Sequence, residues 1–156
     1  MADPTLRVRR ATPADRDQAV AIVFETLRSY GIEPEPEGLD ADVMRLGYGD
    51  HDAYELVAEL DGVVCGVSAL SPRGEGEGWV SKVFVDPRFR RRGAAKALMA
   101  DVVREGAARG YRRLRLQTRT IFREAVTLYE TTGWTRAEAP CSGPCDRSYF
   151  LDLRPR

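Results

Sequence analysis

A run of basic and very small residues lies near the middle of the chain and has the chemistry to bind a large anion. The run is Arg90-Arg91-Arg92-Gly93-Ala94-Ala95-Lys96, and the apolar spacing after it predicts that a long helix begins at Gly93. The first N–H groups of a helix lack partners within the helix, and the helix dipole is positive at that end. Because Gly93 and Ala95 carry almost no side chain, an anion can approach these amides closely, surrounded by full positive charges. The sequence therefore predicts a site for a pyrophosphate group.

Two alternatives exist for the same basic run. The segment from Arg88 to Arg92 has the composition of an ordinary solvated turn, and the run alone does not separate that interpretation from an anion site. A nucleic-acid surface is disfavoured, because the chain has 24 basic and 24 acidic residues and no aromatic platform accompanies the run. Two common phosphate loops, G-x-x-x-x-G-K-[ST] and G-x-G-x-x-G, are absent from the sequence. We therefore expect no nucleic-acid partner.

Apolar periodicity and turn residues place this run on a mixed framework of strands and helices. Strands are predicted at 6–10, 54–60, 63–70, 79–85, 111–118 and 147–153, and helices at 13–30, 40–46, 93–109 and 123–132. A further strand at 134–138 is left open, and the glycine-rich residues 71–78 are predicted to form a loop. The order is thus β-α-α-β-β-β-α-β-α-β, which predicts an α/β (α+β) fold with a mixed central sheet flanked by helices. We expect residues 1–156 to form a single domain.

Composition narrows the environment in which the protein works. Hydrophobic residues make up 43% of the chain and charged residues 31%, as in ordinary globular domains. No apolar run approaches the roughly 20 residues that span a bilayer, and the first residues lack the apolar core of a signal peptide. The odd set of cysteines (Cys65, Cys141 and Cys145) is typical of a reducing compartment, and with His51 as the single histidine it cannot complete a metal site. We expect a cytoplasmic protein with no membrane partner and no metal.

Two motifs, each modest alone, occur together in a specific order. The strand Val83-Phe84-Val85, its Asp86-Pro87 exit and the pattern Arg90-x-x-Gly93-x-Ala95 form the first motif. The second is the predicted helix Ala125-Val126-Thr127-Leu128-Tyr129-Glu130-Thr131-Thr132-Gly133-Trp134. They resemble the [RQ]-x-x-G-x-[GA] coenzyme A motif and the A-x-x-L-Y-x-x-x-G-[FW] helix of the GNAT N-acetyltransferase superfamily. The order of strands and helices along nearly the whole chain is also similar to that family.

The resemblance implies an N-acetyltransferase that moves the acetyl group of acetyl-CoA directly to a primary amine of a small molecule or peptide. It implies a splayed sheet, in which the exposed backbone of one strand pairs with the pantetheine arm of the coenzyme. The implied coenzyme-binding residues are Val83, Phe84, Val85, Arg90, Arg91, Arg92, Gly93, Ala94, Ala95 and Lys96. Tyr129 would act as general acid, although without the resemblance a packing role is favoured for it. An acyl-CoA-binding module with weak or no turnover is the alternative, and either protein would be a monomer or homodimer.

The sequence departs from the family pattern at two positions. Many relatives carry a glutamate at the start of the central strand, where this chain has Trp79. Glu77 lies two residues away, on the same strand face by parity, and is the candidate general base. Phe122 stands where an asparagine often binds the coenzyme, so one common hydrogen bond is in doubt.

An acidic segment is the last candidate for function. It contains Glu33, Glu35, Glu37, Asp40 and Asp42, and it falls where GNAT proteins build part of the acceptor pocket. A solvated linker is the simpler interpretation of such a segment. The alternative is a negative mouth that attracts a cationic amine.

Overall fold

The computed structural model describes residues 5–49, 52–138 and 141–153. Within these ranges the strands are β1 (Leu6–Arg10), β2 (Tyr54–Leu60), β3 (Val63–Gly74), β4 (Glu77–Val85), β5 (Arg113–Thr118), β6 (Thr135–Ala137) and β7 (Arg147–Asp152). The α-helices are α1 (Arg16–Ser29), α2 (Ala94–Ala108) and α3 (Arg123–Thr131). No helix of the described residues is long and apolar enough to cross a membrane.

The strands form one seven-stranded mixed sheet in the order β1-β2-β3-β4-β5-β7-β6. Neighbouring strands are antiparallel except β4 and β5, which run parallel and pair only from Glu77 to Trp79 on the β4 side. Beyond Trp79 the two strands separate, and β4 continues to Val85 with hydrogen bonds to β3 alone. The predicted mixed and splayed sheet flanked by helices is therefore confirmed.

The turn between β3 and β4 differs from the predicted glycine-rich loop. Strand β3 continues to Gly74 and β4 begins at Glu77, so only Glu75 and Gly76 connect them. Both residues have positive φ, 53° and 76°. This is the backbone twist that joins two antiparallel strands through a two-residue turn. The glycines in this segment therefore build a hairpin rather than a loop.

The prediction of a short helix at 40–46 is wrong. The structure has a single 3-10 turn, Val43–Arg45, where the Asp42 carboxylate accepts a hydrogen bond from the Val43 amide. The chain then turns at Gly47, whose φ is 86° and whose Cβ, if present, would lie 2.2 Å from the Thr12 backbone. This close approach of two backbone segments ends the turn before a helix can extend.

The core lies on both faces of the sheet. On one face α1 packs Ile22, Val23 and Leu27 against Val57 and Val67 of the central strands. On the other face, α2 and α3 cover a larger cluster whose buried members include Leu56, Leu98, Val102, Leu114 and Tyr149. The sheet and α2 are thus held rigidly, and the position of the N-terminus of α2 relative to the end of β4 follows from this packing.

Candidate active site

The N-terminus of α2 is open, as the basic run predicts. Gly93 is the N-cap residue, with φ 83°, and no side chain caps the first turn. A Cβ at Gly93 would meet no atom closer than 3.9 Å, and Gly93, Ala94 and Ala95 line an open volume. Arg91 is also in the left-handed region, with φ 63°, which turns the basic segment around the helix end. These features fit a pyrophosphate group, because unpaired amides, a positive helix dipole and guanidinium groups face one volume.

A cleft of about 680 Å³ begins at this helix end and runs along β4 to α3. Nine of the ten residues predicted to bind the coenzyme line it: Val83, Phe84, Val85, Arg90, Arg91, Gly93, Ala94, Ala95 and Lys96. Arg92 is exposed and does not line the cleft. The opposite wall comes from α1 and α3, through residues that sequence reasoning missed: Thr26, Tyr30, Glu124, Leu128 and Thr131. We call this volume the coenzyme cleft.

The edge of β4 is available because the sheet splays. Val83, Phe84 and Val85 lie beyond the last pair with β5, and Phe84 and Val85 pair on their other side with Val67 and Gly66. An extended chain bearing amide groups can therefore add to this edge as a further strand does. The register with β3 shifts just before this segment, and at the shift Lys82 has φ 56°. This bulge bends β4 where it enters the cleft.

A hydrogen-bonded bridge closes part of the coenzyme cleft. The Tyr30 hydroxyl of α1 donates a hydrogen bond to the Glu124 carboxylate of α3, and Arg90 contacts the same carboxylate at 3.2 Å. The hydrogen bond from Tyr30 lowers the pKa of Glu124, and Arg90 adds to this effect. Arg90 is therefore engaged by a protein carboxylate in this structure, so an anion in the cleft must compete with Glu124 for it.

A second cavity of about 390 Å³ lies on the other side of the β4 bulge. It shares four lining residues with the coenzyme cleft, which are Val83, Phe84, Phe122 and Ala125. Phe122 stands between Tyr30 and Phe84, with ring centroids 5.2 and 5.9 Å away. The position at which an asparagine was expected is therefore an apolar wall between the two volumes. We call this volume the second cavity.

Tyr129 lines the second cavity from α3. Its side chain is only 3% exposed and its ring packs against Trp134 and Tyr149, with centroids 5.9 and 5.5 Å apart. Within the described part of the chain its hydroxyl makes no hydrogen bond. Burial, followed by the nearby Tyr149, raises the pKa of Tyr129 above its usual value near 10. The phenol is therefore protonated throughout the neutral range and has a proton to donate into the cavity.

Glu77 has the environment of a structural carboxylate. It is 9% exposed, and its oxygens accept hydrogen bonds from Arg115 at 2.7 and 3.3 Å, with Arg112 also at 3.3 Å. The hydrogen bond from Arg115 lowers the pKa of Glu77, opposed by burial. Glu77 lines neither of the two volumes, whereas Trp79 lines the second cavity. The parity argument placed Glu77 beside the site, but parallel pairing with β5 holds it at the closed end of the splay. This geometry gives no support to a role as general base.

The acidic segment reaches the second cavity at one residue. Asp40 is 8% exposed and lines the cavity, and its carboxylate also accepts a hydrogen bond from the Glu35 amide. Lys82, from the β4 bulge, lies 3.4 Å from Asp40 and 3.2 Å from Asp42. One lysine thus offsets one of the two negative charges, and the negative mouth considered from sequence is weakened. Lys82 itself was missed, although it is one of only two lysines in the chain.

The cysteines provide no metal site among the residues described. No group of three His, Cys, Asp or Glu side chains there is close enough to hold an ion, and His51 lies outside the described residues. Cys65 is buried in β3, where burial raises the pKa of its thiol. Cys145 lines the second cavity, and the Cys141 sulfur lies 3.3 Å from the Ser148 hydroxyl.

Sequence comparisons identify the family of this chain. Residues 20–134 match the model of the Acetyltransferase (GNAT) family. Over 128 residues the chain is 39% identical to mycothiol acetyltransferase of Kineococcus radiotolerans. This alignment covers 80% of this chain but only 40% of that protein. It is 28% identical over 123 residues to the uncharacterized N-acetyltransferase YsnE of Bacillus subtilis, covering 78% of this chain and 81% of that one. The chain belongs to the GNAT family of acetyltransferases, and the predicted resemblance is confirmed.

Solved structures agree on the fold. A GNAT-family acetyltransferase of Staphylococcus aureus Mu50 superposes with a TM-score of 0.86 at 14% identity, covering 96% of this chain and 100% of that one. The structure of yncA from Salmonella typhimurium, solved with its cofactor acetyl-CoA, gives a TM-score of 0.76 at 17% identity and covers 97% of this chain and 95% of that one. At these identities the likeness establishes the architecture, and the roles of individual residues rest on the geometry above.

Proposed function

We propose that this chain is an N-acetyltransferase that moves an acetyl group from acetyl-CoA directly to a primary amine of a small molecule or peptide. One observation carries the proposal. The coenzyme cleft, with an uncapped helix N-terminus at one end and an unpaired strand edge along its side, opens beside a second cavity that holds a protonated tyrosine. Family membership and the acetyl-CoA complex of a protein with the same fold support the choice of coenzyme.

The residues that line the coenzyme cleft bind the coenzyme, and those of the second cavity act on the acceptor and the leaving group. The α2 amides, with Arg90, Arg91 and Lys96, hold the pyrophosphate, and the β4 edge aligns the pantetheine arm. Bound acetyl-CoA supplies an activated acetyl thioester at the junction of the volumes. A backbone N–H at the end of β4 stabilises negative charge that develops on the carbonyl oxygen.

Proton transfer completes the reaction. The neutral amine attacks the acetyl carbon, and the C–N bond forms as the C–S bond breaks. The Tyr129 hydroxyl donates its proton to the departing sulfur, and the nitrogen loses a proton to water in the open second cavity. The tyrosinate then regains a proton from water, which restores the phenol. Glu77 has no part in this scheme, because Arg115 and Arg112 hold its carboxylate.

Acetyl-CoA binding is the direct test, with two glycine variants as a matched pair. At a hundredfold excess over its dissociation constant, acetyl-CoA should stabilise the wild type by about 2.7 kcal/mol, which raises Tm by about 5–10 °C. Gly93→Asp should abolish this shift, because its carboxylate repels the pyrophosphate. Gly110→Asp is the control: Gly110 has φ 78° with no atom within 4 Å of a Cβ, but it lies at the opposite end of α2. Its shift should equal that of the wild type.

Turnover is the second readout and separates the enzyme from a binding module. A panel of primary amines should release free coenzyme A from acetyl-CoA with the wild type. Stabilisation by acetyl-CoA without release for any amine would favour the acyl-CoA-binding module. A Tm unmoved by millimolar acetyl-CoA would refute both functions.

A further inference from the structure

The second cavity has a cation that forms no ion pair with any residue the structure describes. Its charged lining residues are Asp40, Lys82 and Arg119, two positive and one negative. Lys82 lies 3.4 Å from Asp40 and 3.2 Å from Asp42, so its charge is compensated. Arg119 is partly buried, and in the part of the chain that the structure describes it forms no ion pair.

The isolation of Arg119 is specific to its position. It directly follows β5, and the other arginines of that strand are paired: Arg113 with Asp152 at 2.6 Å and Arg115 with Glu77 at 2.7 Å. The side chains of β5 therefore find carboxylates wherever the sheet is closed. Where the sheet opens onto the second cavity, Arg119 forms no ion pair with a described carboxylate.

The facing loop also fails to balance this charge. Cys145 of this loop lines the second cavity together with Arg119; burial raises the pKa of its thiol, and the positive charge of Arg119 acts against that rise. A neutral thiol cannot compensate a cation. The adjacent carboxylate, Asp146, accepts hydrogen bonds from the Thr120 amide at 2.7 Å and hydroxyl at 3.1 Å, and this holds it on the turn after β5.

A partly buried guanidinium without a counter-charge is a recognition group for an anion. Its planar fork of N–H groups matches a carboxylate through two parallel hydrogen bonds, which are stronger than neutral ones. The cavity volume of about 390 Å³ lies in the range of small-molecule sites. The cavity also shares Val83 and Phe84 of β4 with the coenzyme cleft, so a small molecule within it lies next to the cleft.

We propose that the acceptor is a small amino carboxylate, an amino acid or a close analogue, whose carboxylate is held by Arg119 while its amine lies at the junction of the two volumes. This substrate class rests on the proposed acetyl transfer. It replaces the negative mouth considered from sequence with a cavity that selects an anionic group on the acceptor. Arg119 is then a specificity-determining residue and takes no part in proton transfer.

Matched substrates test this assignment: free amino acids, their carboxamides and aminoalkyl phosphates. The wild type should favour each amino acid over its carboxamide in kcat/KM by about 10- to 100-fold, the effect of a hydrogen bond to a charged group. Arg119→Gln should remove this preference mainly through KM, and it should change kcat/KM for the carboxamide by less than about threefold. Arg119→Lys should retain part of the preference. Arg136→Gln, an exposed arginine of β6 outside both volumes, is the control and should behave as wild type.

Binding of the product gives a readout independent of turnover. An N-acetyl amino acid should raise the Tm of the wild type and of Arg136→Gln, and not that of Arg119→Gln. Should the glutamine variant fail to fold, Arg119→Lys and the wild-type preference decide the question.

Several results would overturn the inference while leaving acetyl transfer intact. The wild type could use the amino acid and its carboxamide equally, or could prefer aminoalkyl phosphates. Arg119→Gln could retain the preference for the amino acid over the carboxamide. The protein could also bind acetyl-CoA and acetylate none of the amines that carry a carboxylate. Absence of both acetyl-CoA binding and coenzyme A release would instead refute the proposed function.

Discussion

Replacing Tyr129 by phenylalanine separates catalysis from packing, because the structure gives this hydroxyl no structural partner. The ring supplies the contacts with Trp134 and Tyr149, and phenylalanine keeps them. Within the described residues the hydroxyl makes no hydrogen bond, so its loss should move Tm by less than about 2 °C. Turnover should fall by about 10²–10⁴-fold, the usual contribution of a general acid. The KM for acetyl-CoA should change little, because the lost interaction strengthens only in the transition state.

Tyr149→Phe is the matched control, since it removes the same atom from a neighbouring ring. The Tyr149 hydroxyl donates a hydrogen bond to Glu130 at 2.7 Å and accepts one from Arg147 at 3.2 Å. Because Glu130 is 48% exposed, we take the lower end of the range for charged partners, about 1–2 kcal/mol. This corresponds to a fall in Tm of about 2–8 °C. Turnover should stay within about threefold of the wild type.

The assays are thermal melting and steady-state release of coenzyme A between pH 6 and about pH 10. The direction of the Tyr129 pKa adds a further check. Because burial raises this pKa, the wild-type rate should show no loss through phenol ionisation within that range. Full activity in a normally melting Tyr129→Phe would refute the acid role, and a large loss of folded protein would make the hydroxyl structural.

Three further changes test the geometry of the site. Glu77→Gln should leave turnover and its pH profile unchanged but lower stability by about 1–3 kcal/mol, because a charged partner of Arg115 is lost. Since the folded-state pKa of Glu77 lies below its ordinary value of 4.5, its contribution is present above 4.5 and is lost as the pH falls through the lowered pKa. The melting temperatures of the two proteins should therefore converge as the pH is lowered below 4.5. Glu124→Gln should tighten acetyl-CoA binding up to about fivefold by calorimetry, because Arg90 is released from an exposed pair; unchanged or weaker binding would contradict the competition. Gly78→Ala should cost about 1–3 kcal/mol in chemical denaturation, because its Cβ would lie 2.8 Å from a Leu114 methyl group where β4 and β5 meet; wild-type stability would show that the strands can separate there.

The uncapped, basic N-terminus of α2 could be predicted because all of its parts are contiguous in the chain. A helix N-terminus exposes its amides whatever the rest of the fold does, and Gly93 and the flanking basic residues lie within one turn of it. Nine of the ten predicted residues accordingly line one cleft. The strands Leu6–Arg10 and Tyr54–Leu60 were predicted at their observed bounds for a similar reason, since alternation and turn residues are local signals.

Strand parity could not reveal the environment of Glu77. Parity gives the face on which a side chain lies, but the neighbour on that face is Arg115, 38 positions further along the chain. The parallel pairing of β4 with β5 brings the two together and ends after Trp79. The same short pairing leaves the edge of β4 beyond Trp79 without hydrogen bonds to β5.

The second cavity was decided by tertiary structure alone. Its lining comes from the acidic segment, the β4 bulge, the end of β5, α3 and the loop at 142–145, which are far apart in sequence. Whether Arg119 is compensated depends on the sum of charges that these segments bring near it, and Coulomb interactions depend on distance in space. Residue types and local spacing therefore determined that an uncapped helix N-terminus meets a basic segment. Which charged side chains line the second cavity was set only by tertiary structure, where the sheet opens between β4 and β5.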